Sequence, residues 1–193
     1  MQPEDNKTEL YSKLLKGSLQ NDRECQFKLY NLLSSKMYAV CLRYVKDREM
    51  AEDLLQEGFV KVFSNLEKYR GDGSFEGWVR KIFVNTAIEY YRKSTRMYPI
   101  VNLDHAVNDD NVIAFVDDLE VEDLMKMIHK LSPGYRTVFN LYVIEGYSHK
   151  EIAELLNITE GTSKSQLARA RYLLQDMIVE IEKGDKKNEA IAK

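Results

Sequence analysis

Cysteine, histidine and proline are scarce in this chain, with two, three and three among 193 residues, and only nine glycines punctuate it. Cys25 and Cys41 stand sixteen positions apart without a CxxC, each inside an apolar helical pattern. They read as buried structural thiols rather than as a disulfide or a metal pair. His105, His129 and His149 are scattered, with no HExxH and no cysteine beside them, so no metal site is expected. A nucleophile elbow and a phosphate loop are both missing, and the glycines of "RGDGSFEG" have the wrong spacing for a dinucleotide fingerprint and mark a turn. With no catalytic constellation, no cofactor, no small-molecule substrate and no enzyme activity are expected. No apolar run approaches the roughly 18 residues of a membrane span, and "MQPEDNKTELYSKLLKG" lacks the apolar core of a signal peptide. The expectation is a cytoplasmic protein without membrane insertion.

What is abundant is Leu, Glu, Lys, Ala and Met, residues that favour helices, and the fold class expected is all-α. The formal net charge of −3 conceals a partition: residues 1–96 hold 17 Lys and Arg against 14 Asp and Glu, residues 97–123 none against eight, and residues 124–193 11 against nine. The middle segment, "MYPIVNLDHAVNDDNVIAFVDDLEVED", has Pro99 and no helical stripe, and reads as a flexible acidic linker. This predicts two small helical domains, 1–96 and 124–183, joined by the linker at 97–123 and followed by a tail at 184–193.

In the C-terminal part, Ser132 and Pro133 open a helix whose Tyr135, Val138, Phe139 and Tyr142 fall at helical spacing and which ends near Glu145-Gly146. Ser148 and Glu151 form a capping box before a short helix with Ile152, Ala153 and Leu156 inward. A tight turn at Asn157-Ile158-Thr159 leads to a third helix, capped by Thr159, that keeps Leu167, Ala170, Leu174 and Ile178 on one side. This is a helix-turn-helix. A helical wheel centred on Leu167 turns Thr162, Ser165, Ala168, Arg169 and Tyr172 outward. Ala168 is small enough to let the helix enter a major groove, Arg169 forks onto guanine, Gln166 on the flank reads adenine, and Lys164 and Arg171 meet phosphates. From Gly161 to Gln175 there are three positives and no acid, so the helix is basic despite the chain's total. The plainer alternative is an amphipathic helix with a solvated basic face.

In the N-terminal part, Asn21 and Glu24 are read as a capping box before a stripe of Phe27, Tyr30, Met37, Cys41 and Tyr44. A second helix buries Ala51, Leu55, Phe59, Val62 and Leu66, while Asp53, Gln56, Glu57 and Val60 share another face that suits a basic protein partner or is simply solvated. After the "RGDGS" turn, Phe75, Trp78, Val79, Ile82, Phe83, Thr86 and Tyr90 are assigned to the core. The other side offers Arg80, Lys81, Asn85, Tyr91 and Arg92, followed by Lys93 and Arg96. Cations interleaved with a ring and an amide suit single-stranded nucleic acid, because cations track the backbone and rings stack on bases.

The blocks "DLLQEGFVKVFSNLEKYRGDGSFEGWVRKIFVNTAIEYYRKSTR" and "LSPGYRTVFNLYVIEGYSHKEIAELLNITEGTSKSQLARAR" resemble the bacterial RNA polymerase sigma factors, specifically the small two-domain extracytoplasmic-function (ECF) class of the sigma-70 family, over Asp22 to Ile178. The resemblance implies that the helix of Asp53, Gln56, Glu57 and Val60 docks on core RNA polymerase. It implies that Tyr69 and Asn85 hold a flipped-out base of the −10 element, with Arg80, Lys81, Arg92 and Arg96 near the single-stranded backbone, base capture then driving melting. It also implies that Lys164, Ser165, Ala168 and Arg169 contact duplex −35 promoter DNA, and that an anti-sigma factor is a further partner. In the family the acidic linker threads polymerase channels. Ser163 and Gln166 depart from the valine and arginine common there, which bears on packing at 163 and on the −35 sequence preferred. A stand-alone helix-turn-helix regulator, binding a palindromic duplex without polymerase, is the alternative.

Overall fold

The computed structural model describes the backbone of residues 3–97 and 121–191 and the side chains of residues 9–95 and 122–181. It is helical throughout, with no strand among the described residues, and it falls into two units, Met1–Tyr90 and Tyr91–Lys193. Most of the expected linker, residues 98–120, lies outside the described residues.

The first unit begins with a helix the sequence reading did not assign, α1 (Pro3–Leu19), which packs on α2 (Arg23–Tyr44). The turn between them is a Schellman closure: the Asn21 N–H donates to the Ser18 carbonyl at 3.1 Å and the Asp22 N–H to the Gly17 carbonyl at 3.0 Å, with Asn21 at φ 59°. Asn21 is thus used to end α1, and the cap of α2 passes one residue on, to Asp22, whose Oδ1 accepts from the Glu24 N–H at 2.9 Å. The capping box expected at Asn21 is corrected accordingly. Asp47 caps α3 (Arg48–Ser64) in the same way, through the Glu49 N–H at 2.8 Å. A 3-10 turn (Leu66–Lys68) and a glycine-rich bend lead into α4 (Phe75–Met97).

The stripe that α2 buries is Leu29, Leu33, Met37, Val40, Cys41 and Tyr44. Phe27, expected in it, is 65% exposed, because two positions from Leu29 is more than half a turn round the helix. Both cysteines are free. Burial pushes the Cys41 thiol up to about 12, whereas Cys25 is only half-buried. The buried face of α3 is as expected, with Ala51, Leu55, Phe59 and Val62 inward. Helix α4 is buried more widely than its stripe: Val84, Ala87 and Ile88 are buried too, while Trp78, Ile82 and Tyr90 are half-buried.

In the second unit α5 (Val121–Lys130) takes in the last three residues of the acidic segment and buries Met127 and Ile128. It is followed by α6 (Pro133–Phe139), with proline at its first position as expected, although the Ser132 hydroxyl makes no capping bond. The Arg136 guanidinium is buried and donates to the His129 carbonyl at 3.4 Å, satisfying the end of α5. Helix α6 is enclosed on nearly every side: Arg136, Thr137, Asn140 and Leu141 are buried beside Val138 and Phe139, while Tyr135 and Tyr142 are only half-buried. The helix continues as a π turn (Asn140–Ile144), its Glu145 N–H donating to the Asn140 carbonyl at 3.0 Å. The Ser148–Glu151 capping box is present at the start of α7 (His149–Leu156), whose Ile152, Ala153 and Leu156 are inward. Asn157, at φ 55°, turns the chain into α8 (Glu160–Ile191). The Thr159 Oγ1 caps α8 by accepting from the Thr162 N–H at 3.0 Å.

Helices α3 and α4 meet where Phe59 and Phe83 pack edge to face, their ring centroids 5.2 Å apart. Gly58 permits this, since a Cβ there would stand 2.6 Å from Phe83 Cζ, on a ring that is itself fully buried. Helix propensity alone favours Gly58→Ala by about 1 kcal/mol. Overpacking costs about 1–3 kcal/mol and is expected to win, so urea unfolding of the Gly58→Ala variant should give a lower midpoint than the parent.

Candidate functional site

Three surfaces carry the residues singled out from the sequence. On α3, Asp53, Gln56, Glu57 and Val60 are all exposed, Val60 by 64%. Glu57 also pairs with Lys61 at 2.8 Å, and Lys61 pairs with Glu89 of α4 at the same distance. Partial burial lowers the Lys61 pKa, but the bonds to Glu57 and Glu89 outweigh it and hold the ammonium above its usual range. The face is therefore acidic and amide-bearing, with Val60 exposed between its polar groups and a bridged lysine at its edge.

The second surface is in two parts. Beside the turn before α4 lies a cleft of about 1170 Å³ between α1, α2 and the start of α4. Tyr69 and Arg80 line it, together with Tyr11 and Lys16 from α1, Lys36 and Arg43 from α2, and Phe75. The Tyr69 hydroxyl donates to the Gly73 carbonyl at 2.8 Å, and its ring meets Phe75 at 5.2 Å and Trp78 at 5.5 Å. Lys36 bonds both oxygens of Glu76 at the cleft, at 2.7 and 2.8 Å. Burial, and then the Glu76 charge, raise the Tyr11 phenol, so that ring is neutral at ordinary pH.

Further along α4, Lys81, Asn85 and Arg92 are exposed in one line, at i, i+4 and i+11. Trp78 belongs to that line at helical spacing and is half-buried rather than core. Tyr91, the ring retained from the sequence for stacking, lies on the side of Arg80 instead, and burial raises its phenol. The structure thus brings Tyr69 and Arg80 together at the cleft and sets Asn85 with Lys81 and Arg92. The side chain of Arg96 lies outside the described residues.

The third surface is the start of α8. Lys164 and Ser165 are exposed, and Thr162, Arg169 and Arg171 half-exposed. The Arg169 guanidinium lies 5.0 Å from the Tyr172 ring centroid, and Thr162 shares a hydroxyl contact with Thr159 at 2.9 Å. Gln166 is buried, as part of the inner face with Ser163 and Leu167. Ala168 is 7% exposed, although the wheel centred on Leu167 turned it outward. The centre of the inner face falls between Ser163, Leu167, Ala170 and Leu174, which shifts Gln166 inward.

Family models described as "Sigma-70 region 2" and "Sigma-70, region 4" match residues 29–97 and 121–174. The ECF RNA polymerase sigma-E factor of Haemophilus influenzae is 32% identical over 167 residues, covering 78% of this chain and 88% of that protein. The chain belongs to the ECF RNA polymerase sigma factors. The sigma factor SigW of Bacillus subtilis is 27% identical over 185 residues, covering 88% of this chain and 97% of its own. Among solved structures, the sigma factor RpoE of Bartonella quintana, in complex with the anti-sigma factor NepR, is 22% identical, with a TM-score of 0.48 over 78% of this chain and 94% of that one.

Membership of the ECF sigma factors makes the protein a transcription-initiation factor that directs RNA polymerase to promoters, and the stand-alone regulator is not favoured. No helix among the described residues is long and apolar enough to cross a membrane. What the sequence reading missed in this sigma factor is the share of α1 and α2 in the cleft, and Trp78. A lone tryptophan beside a glycine-rich turn and ahead of a cationic line was the available signal.

The Tyr69 hydroxyl bond closes the bend over Arg70–Gly73, and Arg70 is exposed. Tyr69→Phe removes a bond worth about 1 kcal/mol and should speed tryptic cleavage after Arg70, read by mass spectrometry of the first fragments; unchanged cleavage would mean the ring contacts alone hold the bend.

Proposed function

We propose that this sigma factor divides promoter recognition between two regions of its sequence, with 1–96 binding core polymerase and the −10 element and 124–183 reading the −35 element through α8, the acidic segment 97–123 serving as linker and 184–193 as tail. The observation that carries the proposal is the sorting of exposed chemistry by helix: acid, amide and valine on α3, ring, cation and amide on α4 and its cleft, hydroxyl and cation on α8.

The α3 face of Asp53, Gln56, Glu57 and Val60 docks on core polymerase, where acid meets a basic partner and Val60 supplies apolar area. The cleft of Tyr69 and Arg80 receives an unstacked −10 base, while Lys81, Asn85 and Arg92, with Trp78 added and Tyr91 and Arg96 beyond, track the single strand. In α8, Arg169 reads a base edge, Thr162 and Ser165 approach the groove, and Lys164 and Arg171 meet phosphates. Ala168, small and nearly covered, lets α8 approach the groove closely, whereas Gln166, turned into the inner face, acts on the −35 contact only through the packing of α8 and not by the base contact expected from the sequence. The protein carries out no chemistry of its own and works in the cytoplasm, and an anti-sigma factor is the further partner that family membership implies.

Run-off transcription with purified core polymerase, with sequencing of the start sites, tests the whole reading; absence of any specific transcript would overturn it. Charge reversal at Asp53 and Glu57 should abolish core binding in a pull-down while the circular dichroism spectrum is unchanged, because Lys61 keeps Glu89 at 2.8 Å as its partner. Retained binding would place the docking face elsewhere. Arg169→Ala should cost about 1–3 kcal/mol at one −35 base pair and little at the others. Equal loss on every sequence would make Arg169 a phosphate contact.

A further inference from the structure

Three segments of the second unit meet at one cluster behind the third surface, sharing Arg171 with it. His149, the first residue of α7, stacks on Tyr142 of the π turn, with centroids 4.4 Å apart and planes 23° from parallel. Its Nδ1 lies 2.9 Å from the Oγ of Ser163 on α8. Arg171, two turns further along α8, lies over the same Tyr142 ring at 5.8 Å. Ser163 is 0% exposed, and a hydroxyl buried in an apolar face needs a partner, here supplied by a neighbouring helix.

Elsewhere the two packed helices bury apolar side chains, Ile152, Ala153 and Leu156 on α7 and Leu167, Ala170 and Leu174 on α8. Such contact is non-directional and tolerates a small roll of one helix against the other. A hydrogen bond does not. A roll of about 20° moves an atom roughly 4 Å from the helix axis by about 1.4 Å, which takes a 2.9 Å pair out of bonding range. The bond leaves Ser163 next to Lys164 and Ser165, so whatever fixes the roll at 163 fixes where those side chains and Arg169 point. The Tyr142 ring, held by His149, gives Arg171 a fixed seat on the same helix.

We infer that His149 and Ser163 are positioning residues for promoter recognition, their hydrogen bond setting the roll of α8 on α7 and, with Tyr142, the placement of Arg171. This rests on the reading of α8 as the −35 helix. Neither residue touches DNA; both act through Lys164, Ser165, Arg169 and Arg171.

The test uses holoenzyme assembled from the full chain and core polymerase, on a promoter taken from the mapped start sites with its −35 block intact or scrambled. The quantity read is the ratio of the two affinities, which a loss of stability that leaves the protein folded does not move. Ser163→Val and His149→Phe, which keeps the stacked ring, should each lower the ratio about fivefold, and the double variant should fall no further. His149→Asn, with an amide near the position of Nδ1 but no ring to stack on Tyr142, should fall between the parent and the Phe variant. Where Ser163→Val overfills the core and melts early by circular dichroism, Ser163→Ala removes the hydroxyl alone and makes the same test. Unchanged ratios, fully additive losses, or an Asn variant as poor as the Phe variant would each overturn the inference. If Arg169→Ala also leaves the ratio unchanged, the −35 reading of α8 has failed, and the inference falls with it.

Discussion

The seam between α3 and α4 is the constraint on which the first unit depends. Phe59 reaches the edge of Phe83 only because position 58 has no side chain, and Phe59 in turn carries Tyr30 of α2 at 4.6 Å. Once the inward faces of the two helices are committed to that contact, their outward faces are settled by helical periodicity. Asp53, Gln56, Glu57 and Val60 emerge on one helix, Trp78, Lys81, Asn85 and Arg92 on the other. Core packing and display of two different chemistries are one geometric fact. The Glu57–Lys61–Glu89 bridge crosses the same seam at the surface, but an ion pair so exposed adds little to stability. The aromatic contact holds the helices.

The second unit solves a related problem with less material. Helix α6 is short, buried on nearly all sides and packed chiefly on α8, which also meets α5 and α7, so its polar groups must be satisfied inside. The Arg136 bond to the end of α5 is one answer. Widening of the helix into a π turn after Phe139 is another feature of the same element: it carries Tyr142, the ring on which His149 stacks. Apolar packing supplies the cohesion of this unit, and a few directional contacts give it a single arrangement.

How much of this was legible in the sequence depended on whether the signal was local. The helix-turn-helix was read nearly to the residue because Ser148, Glu151, Asn157 and Thr159 act within a turn of where they stand, and the structure keeps all four roles. The inward faces of α3 and α7 were read for the same reason, since their apolar positions are regular. Faces that depend on distant partners were not. Phe27 looked like core because nothing local says that Leu29 and Leu33 define the stripe instead. Helix α1 went unassigned because its Leu14 and Ser18 become buried only when α2 covers them. Asn21 was given the cap that belongs to Asp22, because the left-handed residue ending one helix and the cap opening the next draw on the same amino acids. At the candidate site the line Lys81, Asn85 and Arg92 was visible, whereas the cleft was not, being built from α1, α2 and α4 across more than sixty residues of sequence.

The proposed −35 role of α8 raises the question of how so lightly charged a helix serves a promoter-directing factor. From Gly161 to Gln175, α8 has only Lys164, Arg169 and Arg171 as cations. If all three neutralised phosphates, the salt dependence would have a slope near −2.7, from about −0.9 per contact on B-DNA, which is the footprint of a weak non-specific binder. On the proposed reading Arg169 contacts a base instead, which lowers the electrostatic share further. Affinity for a promoter must then come from joining surfaces, and tethering does this without new contacts, because a second site held near its target behaves as if present at millimolar concentration. A sigma factor gains by this. A −35 helix that bound DNA strongly alone would occupy promoters without polymerase, whereas one that is weak alone would, on the proposed docking of α3, be committed only in the holoenzyme. In the proposed scheme the acidic segment 97–123 works in the same direction: with eight carboxylates and no cation of its own, it would repel the phosphate backbone in the absence of polymerase.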